Sequence, residues 1–181
     1  MMQIGFMGNR ELFEKNREIF YKLKIECKNI TSAEELQAID GLMISSLGGE
    51  GIEVVKKMYR EIRNYGEKDT PIWGIGYGGY LLTDKNLALI DCHGRFRRRK
   101  SLKTSIISVP SWQERFAVNF YGKIELVNVA PNIAILCEEK QSPIILRQGN
   151  VLACTYMAEL CKNKSIYAYF AQMLCDGFMK E

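Results

Sequence analysis

Gly74, Gly76 and Gly78 fall at two-residue spacing between the apolar run Pro71-Ile72-Trp73 and the segment Tyr80-Leu81-Leu82. The run reads as a buried strand and the segment after the glycines as the start of a helix, so the glycines mark a tight strand-to-helix turn. Such a turn strains its central residue and needs small flanking residues, because these pack against other backbone. With Ser or Cys at its centre it holds a nucleophile over the sheet, beside helix N–H groups, for attack on a carbonyl. The central residue here is Gly76, which has no side chain. The turn is shaped for a nucleophile that its central residue does not supply.

Other residues that could supply the missing chemistry are few. His93 is the single histidine, and its neighbour Cys92 points to the opposite face if both lie on a strand, so the two do not form a dyad. Cys154 stands in an apolar segment where a thiol packs as a small hydrophobe. The six cysteines form no Cys-x-x-Cys pair and have no His at ligand spacing, so no metal site is expected. Gly74-Ile75-Gly76-Tyr77-Gly78-Gly79 also echoes a dinucleotide fingerprint, but that motif belongs at the first βα turn, and at least three elements precede this one. No cofactor is expected. Gly48-Gly49 could offer backbone N–H groups to an anion, although a tight turn alone accounts for both glycines. Arg95-Phe96-Arg97-Arg98-Arg99-Lys100 reads either as a solvated loop or as a contact to a partner or a phosphate.

The composition narrows the classes. A chain of 181 residues with 47% hydrophobic residues can bury a substantial core, and is expected to form one domain over 1–181. A net charge of +4 and one short basic run give no electrostatic footprint for nucleic acid. No apolar stretch reaches the ~18 residues that would span a bilayer. Met1-Met2-Gln3-Ile4-Gly5-Phe6 lacks the features of a signal peptide, so a reduced, cytoplasmic protein is expected.

The elements that must position the turn follow from periodicity. Gln3 to Phe6 reads as a strand, Glu11 to Leu23 as a helix, Ile25 to Ile30 as a strand, and Thr31-Ser32-Ala33-Glu34-Glu35 as a capped helix start. Gly41 to Ser45 reads as a strand and Ile52 to Tyr65 as one amphipathic helix. This alternation implies a parallel sheet covered on both faces. The second half reads as short strands at 104–109, 117–121, 124–127, 133–138, 144–147 and 151–155, closed by a helix from Ser165 to Lys180.

Taken in order, these landmarks resemble the glutaminase subunit of pyridoxal 5′-phosphate synthase, within the class I glutamine amidotransferases. Gly5-Phe6-Met7-Gly8 is similar to the family's first turn, and Asp40-Gly41-Leu42-Met43-Ile44 to the strand before its Pro-Gly-Gly-Glu-Ser loop. Gly48-Gly49-Glu50 keeps the centre of that loop, and Pro71 to Leu82 resembles the Gly-x-Cys-Ala-Gly elbow. Arg147 to Tyr156 resembles the strand before the family's His-Pro-Glu. The resemblance implies a three-layer α/β sandwich around a mixed, mainly parallel sheet, with a β-rich second half. It implies that Gly48, Gly49, Glu50 and Tyr77 stand at the oxyanion and substrate loop, and that the basic run with Arg97, Arg98 and Arg99 lies near the mouth of the site as a partner contact.

By the same resemblance, a Cys attacks the glutamine carboxamide, a His activates it and a Glu orients the His. Those three positions correspond here to Gly76, Met157 and Glu159, so only the acid is retained. Ala158 replaces the Pro after the His, and Val129 the Arg of an Arg-Ala-Pro motif. Without thiol or imidazole, glutamine hydrolysis is not expected, since members of such a unit act together. The expected function is that of a catalytically degenerate relative that binds a partner, the synthase subunit, or a glutamine-like small ligand. The alternative is an active amidotransferase supplying ammonia from a displaced nucleophile.

Overall fold

Alternating strand residues of a mostly parallel sheet feed two separate apolar cores, one on each face. The computed structural model describes residues 1–47, 49 and 51–178, with side chains except those of 99–101 and 178. Five parallel strands, β1 (Gln3–Gly8), β2 (Glu26–Asn29), β3 (Gly41–Ser46), β4 (Ile72–Gly76) and β9 (Val151–Cys154), are extended by β8 (Ser142–Gln148) and β7 (Ala134–Glu139) in the order β2-β1-β3-β4-β9-β8-β7. Only β8 runs against the rest. β5 (His93–Val109) and β6 (Glu114–Val127) form a separate antiparallel ribbon.

Phe6, Met43, Trp73 and Leu152 point to one face, where α1 (Arg10–Lys22), α6 (Ser165–Phe178) and the ribbon cover them. Leu42, Ile44, Ile72 and Ala153 point to the other, under α2 (Ala33–Gln37), α3 (Glu53–Lys57), α4 (Tyr59–Gly66) and α5 (Tyr77–Leu81). Period-two alternation between two covered faces is what makes these strands read as continuous apolar runs. The architecture is the α/β sandwich that the resemblance implies.

Local signals set the helix starts. Asn9 Oδ1 accepts the Leu12 N–H at 3.1 Å to cap α1. Ser32 and Glu35 form a reciprocal capping box, with Glu35 N–H donating to Ser32 Oγ at 3.3 Å and Ser32 N–H to Glu35 Oε2 at 3.0 Å.

Three expectations need correction. The helix expected over 52–65 is two: at Met58 one N–H is shared between the carbonyls of Val54 (3.1 Å) and Val55 (3.2 Å), the bifurcated bond of a helix end. The strands expected at 117–121 and 124–127 are one, because Gly122 does not break β6. The Phe96 ring lies over it, and a Cβ there would come within 2.6 Å of Phe96 Cε2. The basic run at 95–100 is not a loop; it belongs to β5, which begins at His93 and runs 17 residues. Arg and Lys on a two-stranded ribbon keep their heads in water while the backbone pairs, so charge alone does not mark a loop.

Candidate active site

The strand order reverses between β2-β1 and β3-β4, and in open α/β sheets a crevice forms outside the carboxyl ends at such a point. Parallel register puts Ser46, the last residue of β3, beside Gly76, the last of β4. The segment leaving β9 carries Thr155, Tyr156 and Met157 to the same end, where the Met157 N–H donates to the Asn119 carbonyl of the ribbon at 2.8 Å. Residues far apart in sequence thus meet because the sheet ends together.

The turn has the geometry that its glycines imply. Gly76 has φ 55° and ψ −120°, a conformation that strains any L residue, and α5 starts at the next residue. A Cβ at Gly74 would come within 2.6 Å of the Gly78 carbonyl oxygen, so the flanking glycines close the turn against each other.

Met157 fills the space that the turn faces. A Cβ placed on Gly76 would overlap the Met157 thioether sulfur. The cavity bounded by Ser46, Gly76, Tyr77, Phe96, Thr155 and Met157 measures only about 10 Å³. That is about the space of one water. Thr155 Oγ1 is buried beside it without a hydrogen bond among the described residues. Tyr77 closes the outer side, its ring edge-on to Phe96 at 4.8 Å and tilted to Tyr80 at 5.2 Å. Burial raises the Tyr77 phenol above its ordinary pKa, with Tyr80 and then Tyr59 adding to the shift.

Glu159 lies behind Met157 in a single 3-10 turn, Ala158–Leu160, and is buried. Asn16 Nδ2 donates to Glu159 Oε1 at 3.1 Å and to the Leu12 carbonyl at 2.8 Å, while the Tyr167 hydroxyl donates to Asn16 Oδ1 at 2.8 Å. Lys164 Nζ donates to the carbonyls of Ala158 (3.1 Å) and Glu159 (3.2 Å). Burial pushes the Glu159 carboxyl above the usual carboxylate range, against the opposing pull of Ser45, its own backbone, Asn16 and Lys164. Ser45 Oγ and Glu159 Oε2 are nonetheless both buried without a well-formed hydrogen bond among the described residues, so their approach is close without being a bond. A protonated carboxyl suits this setting, because its hydroxyl can be turned toward an acceptor.

The remaining expected positions are spread around this centre. Gly49, at φ 101°, directs its N–H to Ser46 Oγ at 3.2 Å, so that donor is already engaged. Gly48 and Glu50 lie outside the described residues. Arg97 and Arg98 sit on β5 opposite Lys123 and Gly122; the side chain of Arg99 lies outside the described residues. Cys154 is fully buried and its thiol is pushed far up by burial. His93 Nδ1 approaches Asp84 Oδ2 at 3.3 Å, while Cys92 is buried and its thiol is pushed up to about 12 by burial, with Asp84 and Asp91 adding to the shift. No dyad forms there. Among the described residues no three His, Cys, Asp or Glu side chains gather to hold a metal, and no helix is long and apolar enough to cross a membrane.

Asn16, Thr155 and Phe96 belong to the site, and sequence reasoning does not single them out. Asn16 carries a legible signal all the same: it interrupts the apolar face Leu12–Asn16–Phe20 of α1 at i, i+4 spacing, where a polar residue needs a buried partner.

Sequence comparison finds relatives that align with nearly the whole chain. Pyridoxal 5′-phosphate synthase subunit PdxT of Thermosipho africanus is 27% identical over 188 residues, covering 96% of this chain and 99% of that protein. The PdxT subunit of Bacillus cereus is 25% identical over 196 residues, covering 100% of this chain and 99% of that one. This chain is similar to PdxT subunits from end to end. Among solved structures, a glutamine amidotransferase superposes with a TM-score of 0.80 at 20% identity, covering 94% of this chain and 98% of that one. A putative GMP synthase subunit from Thermoplasma acidophilum superposes with a TM-score of 0.77 at 15% identity, covering 100% and 98%. At those identities the structures establish the fold alone. No family model matches the chain.

Proposed function

We propose that this chain is a catalytically silent relative of the PdxT subunits: one amidotransferase-like domain that binds a pyridoxal 5′-phosphate synthase partner and does not hydrolyse glutamine. One observation carries the reading. The Met157 thioether occupies the volume into which a nucleophile on residue 76 would project, and it leaves a cavity of about 10 Å³. Loss of a thiol alone would leave an open pocket that could still hold glutamine. Here the base position itself is the plug, so a glutamine-sized ligand has no room unless Met157 moves.

A displaced nucleophile has little to support it. Thiolate is the reactive form, and Cys154, the thiol that β9 carries toward the turn, is fully buried with burial opposing ionisation. The Glu159 carboxyl serves the fold through Asn16 in place of orienting an imidazole.

The test is ammonia release from glutamine by the purified chain, alone and with its synthase partner. No release in either condition, together with a measurable complex, is the expected outcome. Glutamine-dependent turnover above that of a Met157→Trp variant would overturn the reading.

A further inference from the structure

We propose that the free edge of β2 is a self-association surface, through which two copies pair antiparallel about a two-fold axis at Cys27. β2 is the terminal strand of the sheet. The Glu26 N–H donates to the Met2 carbonyl at 3.0 Å and the Ile30 N–H to the Phe6 carbonyl at 2.9 Å. Even-numbered residues of β2 therefore face β1, and the N–H and C=O of Cys27 and Asn29 face outward. An edge with unpaired backbone groups is a template for another strand.

The side chains select both the occupant and the register. Glu26 and Lys28 flank Cys27, and they sit close together on the solvent side, Lys28 Nζ lying 3.9 Å from Glu26 Oε1. An antiparallel pair centred on Cys27 sets each Glu26 opposite the Lys28 of the other copy, twice over by symmetry. Shifting the centre by one residue in either direction sets Lys opposite Lys or Glu opposite Glu, which repel. The Cys27-centred register is also the one in which Cys27 forms a hydrogen-bonded pair with its symmetry mate, as its outward backbone requires. Charges on an edge ordinarily discourage pairing. This spacing discourages most partners but suits a second copy of the same strand.

The neighbourhood of the edge fits the same axis. Cys27 packs under α1, so a two-fold normal to the sheet brings the two α1 helices together on one face. Between α1 and β2 lies a groove of about 510 Å³, lined by Phe13, Arg17, Tyr21, Ile25 and Cys27 among others. Tyr21 stands beside it with 81% of its surface exposed. An exposed aromatic ring beside a groove of mixed apolar and charged lining, on a self-complementary edge, is what an isologous contact buries.

The experiment is sedimentation velocity across a concentration series at low salt, with circular dichroism to confirm folding. The unmodified chain is expected to shift from monomer to dimer. Lys28→Glu and Glu26→Lys are each expected to weaken self-association by about tenfold, since two cross-strand pairs change from attraction to repulsion. An equimolar mixture of the two variants restores opposite signs at both positions and is expected to recover the dimer, which a folding defect would not do. An unmodified chain that stays monomeric, unaffected dimerisation in the single variants, or a mixture that stays monomeric would each overturn the proposal.

Discussion

The sulfur of Met157 lies within van der Waals overlap of the point where the first side-chain atom of residue 76 would be. Residues 76 and 157 are therefore coupled, because a side chain at one requires withdrawal at the other. Gly76→Cys is expected to destabilise the chain by about 1–3 kcal/mol, from strain at positive φ and collision with the thioether. Met157→Ala removes the collision but opens a buried cavity, at about 2–5 kcal/mol. The double variant should be less destabilised than the sum of the two, by roughly 0.5–3 kcal/mol. Denaturant melts of the four proteins measure this, and simple additivity would show that the contact carries no energy.

A pH series tests the buried acid. Burial raises the folded-state pKa of Glu159, so the folded chain binds that proton more tightly than the unfolded chain does. Stability is then fullest below the ordinary carboxylate range and falls as pH rises through the raised folded value. Glu159→Gln keeps an acceptor for Asn16 and cannot ionise. It is expected to flatten that part of the profile and to raise the neutral-pH melting temperature by a few degrees, about 1 kcal/mol. Parallel melting curves for the two proteins across pH 4–8 would show that Glu159 does not titrate in that range.

Tyr167 tests the far end of the same network. Its hydroxyl donates to Asn16 Oδ1, and that Asn orients the Glu159 carboxyl. Tyr167→Phe leaves a buried acceptor unpaired and is expected to lower stability by about 1–3 kcal/mol. Combined with Asn16→Leu, which removes the acceptor, the loss should shrink, and a melt of the double variant reads this directly.

The parallel half of the fold is legible in the sequence because its elements are local and periodic: α1 starts one residue before the expected Glu11, and a strand does give way to a helix at the glycines, although α5 starts at Tyr77 and takes in Gly78 and Gly79, ahead of the expected Tyr80. The ribbon is less legible. Gly122 reads as a break because a glycine in a strand has no local reason to be there, and its reason, the Phe96 ring above it, is 26 positions away in sequence. The turn at Gly76 can be recognised from its spacing. That the Met157 side chain fills it cannot, since residue type gives no side-chain direction and the two segments meet only through the β4–β9 pairing.

The basic run gives the last prediction. Arg95 and Arg97 lie opposite Glu125 and Lys123 on the ribbon, where Lys123, with smaller contributions from Arg97 and Arg95, holds the Glu125 carboxyl below its usual range. One carboxylate among three cations leaves this end of the ribbon positive, and it adjoins the turn because Phe96 packs edge-on against Tyr77. A charged surface of this kind acts on association rate more than on dissociation, and salt screens it as the Debye length falls from about 10 Å at 0.1 M to about 3 Å at 1 M. Replacing Arg97, Arg98 and Arg99 with Ala is expected to slow binding to the proposed synthase partner by roughly twofold to tenfold at low salt. The difference from the unmodified chain should vanish at 1 M salt, with the off-rate little changed. Stopped-flow or surface-binding kinetics at both salt concentrations measure this. If the unmodified chain binds and the triple variant shows the same on-rate, the run has no steering role and is only the solvated face of β5.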